Sequence, residues 1–315
     1  LYIVFFLFSI AILADVLAND KPLVTTYQGS TYFPVFKQYM VDLGIMHWDK
    51  EMVNIDWKEL DQAHQLSGSV WPPIRYSESN QDLANTLTPP GSEHLLGTDG
   101  IGRDVLSGLI HGSRIALSIG FVSMSFALLI GVVLGALAGY YGGWVDVLIS
   151  RLIEIVITLP VFFLIITVIA MVQHGSIWLI MVLIGLTGWT GVARLTRGEF
   201  LRVRNMDFVS AASALGFKDS RIVFRHVLPN SIAPVLVTAA FGIASAILVE
   251  SGLSFLGFGV PPTVVTWGSI LNDARNDIHA WWLAVFPGFA IFLAVVAYNL
   301  VGDGLRDALD PRLRD

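Results

Sequence analysis

The sequence predicts an all-α membrane protein with six transmembrane helices, short cytoplasmic helices and a large external insertion between the first two spans. Three observations carry this. Charged residues are 14% of the chain against about 25% in soluble domains, while apolar residues reach 54%. Apolar runs recur at 1–18, 115–138, 155–172, 177–193, 232–249 and 281–301. Each is close to the ~20 residues a helix needs to cross about 30 Å of hydrocarbon, with the third run starting nearer Val145. Finally, Lys and Arg are distributed unevenly between the connections.

That distribution sets orientation. The connection 194–230 carries Arg194, Arg197, Arg202, Arg204, Lys218, Arg221 and Arg225, and the tail adds Arg306, Arg312 and Arg314. Residues 19–104 hold six cations against twelve acids, and 258–280 only Arg275. Segment 194–230 and both termini are therefore expected in the cytoplasm, and 19–104 outside. The first run also has the form of a signal peptide with a small-residue site at Val16-Leu-Ala18, which would leave five spans. Opening on Leu1 rather than Met predicts a short leader before it. With no cysteine, the external part has no disulfide framework.

Residues 19–104 are too long and too aromatic for a linker, with Trp48, Trp57, Trp71 and Tyr76 among their rings. A small cap with a few short strands or turns is expected, either a lid or a docking surface for a soluble partner. Next, Gly97, Gly100 and Gly102 have no preceding strand and do not make a phosphate loop. Val105, Leu106, Leu109 and Ile110 predict an amphipathic turn on the membrane surface.

The polar stretch 207–230 lies between two apolar runs. Phe208, Ala211, Ala212 and Leu215 fall at i, i+3, i+4, i+7, one helical face. Gly216 suits the left-handed residue that ends a helix, and Asp219 or Ser220 suits the cap of the next. Val223 and Val227 share a face beside Arg221 and Arg225, and a proline follows. A compact helical hairpin of this kind fits a groove in another protein.

With Ala211, Ala212, Gly216, Leu228 and Pro229, this hairpin resembles the cytoplasmic coupling segment of ABC importer permeases. Ser210 stands where that family often has Glu, which puts a salt bridge from the position in doubt. Gly97-Thr-Asp-x-x-Gly-Arg-Asp-Val-Leu-Ser107 is similar to a block in the C-type permease of dipeptide, oligopeptide and nickel importers. Glu250-Ser-Gly-Leu-Ser-Phe-Leu-Gly257-Phe-Gly259-Val-Pro261-Pro262, followed by Thr266-Trp267-Gly268, resembles the external re-entrant loop of the same subunit. An interfacial loop with an anchoring tryptophan is the plainer reading of that stretch. The three blocks run from about Gly97 to the C-terminus. Trp71-Pro-Pro-Ile-Arg-Tyr76 resembles the branch importing microcin C and oligopeptides.

The apolar runs and charge together with the resemblance give cytoplasmic coupling helices and three segments: a first transmembrane helix at 1–18, an external (periplasmic) insertion with an interfacial helix at 19–111, its 19–93 part longer than in most of the family, and a core permease domain at 112–315. The core would hold five spans and the coupling segment 207–229. It also implies a multi-pass subunit of the bacterial inner membrane with a homologous second permease, two ATPase subunits or one fused ATPase, and a periplasmic substrate-binding protein. Mg-ATP would bind those partners and no cofactor this chain. The chain itself offers no Walker A loop, since none of its five lysines follows Gly or precedes Ser or Thr. The coupling residues would be Ser210, Ala211, Ala212, Gly216, Arg221, Arg225, Leu228 and Pro229. Glu250, Gly257, Gly259, Pro261, Pro262 and Trp267 would form the external loop or gate.

Other classes find less support. Intramembrane charge is sparse, chiefly Arg151 and Glu154, an i, i+3 pair or a gate, and Glu250, a loop anchor or a substrate ligand. An ion-coupled transporter or channel has no proton relay here. The seven histidines show no metal spacing and no His-Glu-x-x-His, which argues against a metal site and a membrane enzyme. His226 belongs to the hairpin, with a helix-terminal or ATPase-contacting role.

Overall fold

The computed structural model describes residues 1–315 except 50, 51, 54, 173–175, 262 and 310–315. Pro262, Arg312 and Arg314 thus lie outside the described residues. Two compact units are present: one of Leu1–Val4, Ala116–Pro261 and Ile291–Asp315, the other of Phe5–Ile115 and Pro262–Ala290.

In chain order the helices are α1 (Tyr2–Ile12), α2 (Ala14–Leu17), α3 (Pro34–Asp42), α4 (Trp57–Gln62), α5 (Val105–Tyr141), α6 (Gly143–Thr158), α7 (Val161–Met171) and α8 (Ile177–Val203). Then come α9 (Asp207–Ala214), α10 (Asp219–Ile222), α11 (Leu228–Phe255), α12 (Trp267–Asp273) and α13 (Trp282–Leu309). Three strands, β1 (Val24–Tyr27), β2 (Ser30–Tyr32) and β3 (Leu66–Val70), form an antiparallel sheet in the order β2-β1-β3. This is the small strand content expected of the 19–104 segment.

Four helical stretches are long and apolar enough to cross a membrane: Val105–Tyr141, Ile177–Val203, Asp219–Phe255 and Trp282–Leu309. The pair α6–α7 makes a fifth if its two halves count as one span. Its 77° bend corrects the expectation of an unbroken third span over 155–172. Pro160 has no N–H for the helix and holds Leu159 extended (φ −79°, ψ 128°), so the ladder ends there. The first apolar helix, α1, is shorter than the four, at 11 residues.

In the unit of 116–261, α5 meets α8 through a stripe of glycines. A Cβ on Gly131 would lie 2.6 Å from Val192 Cβ, one on Gly135 2.5 Å from the Ala193 carbonyl oxygen, and one on Gly139 2.5 Å from Phe200 Cβ. The i, i+4, i+8 spacing lets the two backbones approach closely. Arg197 of α8 reaches α6, donating from Nη2 to Asp146 Oδ2 (2.7 Å) and from Nε to Oδ1.

In the other unit the block Gly97–Ser107 is structural. Asp104 Oδ1 accepts the Ser107 N–H (2.7 Å) and caps α5, while its Oδ2 meets His94 Nδ1 (2.9 Å). The Thr98 carbonyl accepts the indole N–H of Trp282 (3.0 Å). Gly97 and Gly102 have φ +80° and +78°, and a Cβ on Gly97 would meet the Thr88 carbonyl at 2.7 Å. Val105, Leu106, Leu109 and Ile110 are helical but form the first turns of α5 and not a separate short helix before it. No proline interrupts 105–141, and Gly108 and Gly112 stay helical while packing against Ile270 and Trp267.

Candidate functional site

The hairpin of 207–229 is built on two buried positions of α9, Val209 and Ala212. They pack with Phe200 and Val203 of α8 and with Ile222 and Val227. Phe208, Ala211 and Leu215 of the expected apolar contact face are exposed, as is Ser210, whereas Ala212, expected on that same face, is buried within this chain. The helix is rotated so that Val209 and Ala212 meet the protein while Phe208 and Leu215 face away from it.

A Schellman motif ends α9. The Phe217 N–H donates to the Ala212 carbonyl (3.2 Å) and the Gly216 N–H to the Ser213 carbonyl (2.9 Å), with Gly216 at φ +78°. The expected caps at Asp219 and Ser220 are not formed, because Lys218 occupies the cap position without a side-chain bond. Asp219 is used elsewhere: its Oδ1 accepts from the Tyr140 hydroxyl (3.0 Å) at the end of α5. Arg204 holds the same end, donating to the carbonyls of Gly139 (3.0 Å) and Tyr140 (2.8 Å). A cation on the last carbonyls of α5 complements its dipole.

After α10, residues Val223–Val227 form a π-helical turn that leads without a break into α11. Pro229 stands at the start of α11 and cannot donate to a carbonyl one turn back, so the widened turn precedes it. Arg221 and Arg225 are exposed, and the Arg221 guanidinium lies 4.3 Å from the Phe217 ring centre. Phe217 stacks in turn on His226 (6.1 Å between centres), whose Nε2 is buried without a hydrogen bond. A hollow of about 680 Å³ runs along the hairpin between Tyr140, Arg204, Asn205, Ser210, Ser213 and Ala214. A second, apolar hollow of about 210 Å³ lies between Leu137, Tyr141, Val223 and Phe224.

The second set of expected residues falls into separate places. Glu250 is fully buried within α11 and accepts a hydrogen bond from Ser254 Oγ (2.7 Å), one turn on. That replaces the expected position at the helix end: α11 runs on to Phe255, and irregular backbone begins only after it. Gly257 has φ +84°, and Gly259 lies so close to Ser254 that no Cβ fits. Pro261 is half-buried. In the other unit Trp267 is buried and donates its indole N–H to the Leu109 carbonyl (2.9 Å), which rules out an interfacial anchor. Arg151 and Glu154 pair at 2.5 Å on an exposed helix face.

Sequence reading passed over a cavity of about 380 Å³ among α5, α7, α8 and α11. Ser123, Thr187, Gly188, Gly191, Thr238 and Ser245 are in its lining. Serines, threonines and glycines recur here through otherwise apolar helices, a signal visible only after the helices are assembled. The Asp146–Arg197 pair was passed over for the same reason, since 51 residues separate its members. Among the described residues no group of His, Asp or Glu is placed to hold a metal ion.

Helices long and apolar enough to cross a membrane, with a helical hairpin running directly into one of them, make this a polytopic membrane protein. Residues 131–315 match the family described as binding-protein-dependent transport system inner membrane component, and the chain belongs to that family. It is a permease subunit of a binding-protein-dependent ABC importer, a multi-pass protein of the inner membrane. The inner membrane ABC transporter permease protein YejE of Escherichia coli (strain K12) is 37% identical over 318 residues, covering 99% of this chain and 92% of that protein. The dipeptide transport system permease protein DppC of Alkalihalophilus pseudofirmus is 41% identical over 240 residues, covering 76% and 78%. The fold matches a chain of the inward-facing MetNI methionine ABC transporter with a TM-score of 0.53 and 18% identity, over 64% of this chain and 96% of that one.

Proposed function

We propose that this subunit forms half of a translocation path for peptides or peptide-like compounds and is driven through 207–229 by separate ATPase subunits in the cytoplasm. The observation that carries the reading is mechanical. The hairpin presents exposed Phe208, Leu215 and Phe224, and its second limb is continuous with α11 over Asp219–Phe255. A push on that surface is therefore delivered to a helix lining the 380 Å³ cavity. Ser210, Ala211, Arg221 and Arg225 lie on the exposed side of the hairpin, whereas Ala212, Gly216, Leu228 and Pro229 shape it. A homologous permease completes the path, and a periplasmic binding protein delivers ligand on the side of 19–104. Substrate class rests on the relatives, among them permeases named for dipeptide, oligopeptide and glutathione transport.

In this arrangement six spans cross the membrane, the first being the apolar stretch 1–18, and both termini are cytoplasmic. Glu250 fixes the last turns of α11, with Gly257, Gly259 and Pro261 in the external turn after it. Trp267 fixes α12 against α5. Single cysteines introduced into the cysteine-free chain test both contact and orientation. Cysteines replacing Phe208 and Leu215 should cross-link to the ATPase subunit and be shielded from impermeant thiol reagents in intact spheroplasts, whereas one replacing Ser67 reacts from outside. Reaction of position 215 from outside would refute the reading.

A further inference from the structure

The transport reading leaves α3 without a role. Phe36, Tyr39, Met40 and Leu43 recur at i, i+3, i+4 and i+7, one stripe of the helix and its capping residue. They are 50%, 37%, 41% and 69% exposed, and Phe33, Ile45 and Met46 extend the exposed apolar surface at both ends. The other side of the helix is tied down. Val35 is buried, Lys37 Nζ pairs with Asp49 (2.7 Å) and lies 5.0 Å from the Trp48 ring centre, and Gln38 accepts the Trp48 indole N–H (3.0 Å). The stripe is thus held facing away from the rest of the fold.

Its position is fixed by Tyr39. The Tyr39 hydroxyl donates to Asp15 and accepts from Arg114 Nη2 (3.3 Å). Arg114 also donates to Asp15 (2.7 Å) and, from Nε, to the Ala11 carbonyl (3.0 Å). After Arg114, α5 enters an apolar run, and the next charged residue in the sequence is Asp146. Asp15 stands two residues from exposed Leu13, at the end of the exposed apolar surface of α1 that includes Phe5, Phe6 and Ile12. The stripe is therefore held beside Arg114, the last charged residue before the apolar run of α5, and beside Asp15, which follows the exposed apolar residues of α1. It contains no charge, while Lys37 flanks it one turn before Met40 and Gln38 lies on the opposite side, a distribution that suits a helix lying in a membrane interface.

We infer that α3 is an interfacial helix. It lays Phe36, Met40 and Leu43 among the headgroups and upper acyl chains of the leaflet at the N-terminal end of α5. The Tyr39 hydroxyl remains in the polar layer, where tyrosine is favoured. Nine residues make a helix about 14 Å long, enough to pin the sheet-bearing segment to the bilayer surface. This inference needs α5 to cross the membrane but does not depend on which way transport runs, so it can fail while the transport reading stands.

The test uses the assembled complex in nanodiscs of phosphatidylcholine and phosphatidylglycerol. Single cysteines at Phe36, Met40 and Leu43 carry a small fluorophore, with Glu59→Cys on α4 as an aqueous control. Nitroxide lipids labelled at acyl carbon 5 should quench the three stripe positions at least about twofold more than a water-soluble nitroxide does, matching an apolar face buried ~5–10 Å. The control should show the reverse order. Stronger quenching from water at the stripe, or shielding that appears only when soluble binding protein is added, overturns the inference. The unmodified chain gives an independent reading: lipids with a photoreactive group at carbon 5 should form adducts within 33–46. Adducts on α5 with none on 33–46 would contradict it.

Discussion

Gly216 concentrates the coupling question in one backbone angle. At φ +78° it closes the Schellman motif, and a Cβ added there would meet nothing within 4 Å. Substitution is therefore opposed by backbone strain and not by crowding, roughly 1–2 kcal/mol for an L-residue and more for a β-branched one. Gly216→Val should leave the complex inserted and ATP hydrolysis measurable while ligand uptake falls severalfold. Gly216→Asn, which tolerates the left-handed region, should retain most of it. Equal uptake by both variants would remove the hairpin turn from the coupling path. The glycine itself was legible from the sequence. Its neighbours' directions were not: Phe208, Ala211, Ala212 and Leu215 share one periodicity, yet packing within the chain buries Ala212 together with Val209 and leaves the other three exposed.

Asp273 is a second residue with a measurable signature. Burial, and then the nearby Asp99 carboxylate, push its pKa up to about 6 against the opposing pull of Arg103. Arg103 lies 2.6 Å from Asp99 but 3.6 Å from Asp273, so it chiefly serves the former. A carboxyl whose pKa is raised by folding favours the folded state while protonated, and that contribution is lost as pH rises from about 4 through about 6. Asp273→Asn should therefore flatten the decline of the melting temperature between pH 4 and 7 and raise it at pH 7.5. An unchanged pH profile would show that Asp273 titrates normally.

At the scale of elements, the glycine stripe of α5 decides how closely α5 and α8 approach. A leucine at Gly135 would drive its Cβ to 2.5 Å from the Ala193 carbonyl oxygen, a backbone atom that cannot rotate away. Gly135→Leu should destabilise the protein by about 1–3 kcal/mol or more, read as a lower melting temperature and less folded protein in membranes. Gly198→Ala on α8, where an added Cβ meets nothing within 4 Å, is the matched control and should be neutral or mildly stabilising. A similar loss in both variants would detach the effect from helix approach. The stripe was present in the sequence as Gly131-x3-Gly135-x3-Gly139, a spacing that a reading based on apolar runs does not register. The same is true of the α6–α7 break. A continuous apolar run hid Pro160, although a proline inside a helical stretch marks a bend by its missing N–H alone.

At the scale of the whole molecule, composition and apolar runs were enough to read a polytopic helical protein, because lipid forces backbone groups to be satisfied within helices. The three sequence blocks were enough to place the chain in its family. What could not be read was long-range pairing. Asp146 with Arg197, Asp15 with Arg114 and Trp267 with the Leu109 carbonyl join residues 51 to 158 positions apart, and no local pattern announces them. These pairings convert several expected surface or loop residues, Trp267 above all, into packing elements. Under the proposed function this chain is a passive path moved from outside itself. Uptake of a labelled oligopeptide into proteoliposomes tests that claim most directly. Uptake is expected only when the second permease, the ATPase subunits, ATP and the liganded binding protein are all present. Uptake by this chain alone under an ion gradient, without ATPase, would contradict it.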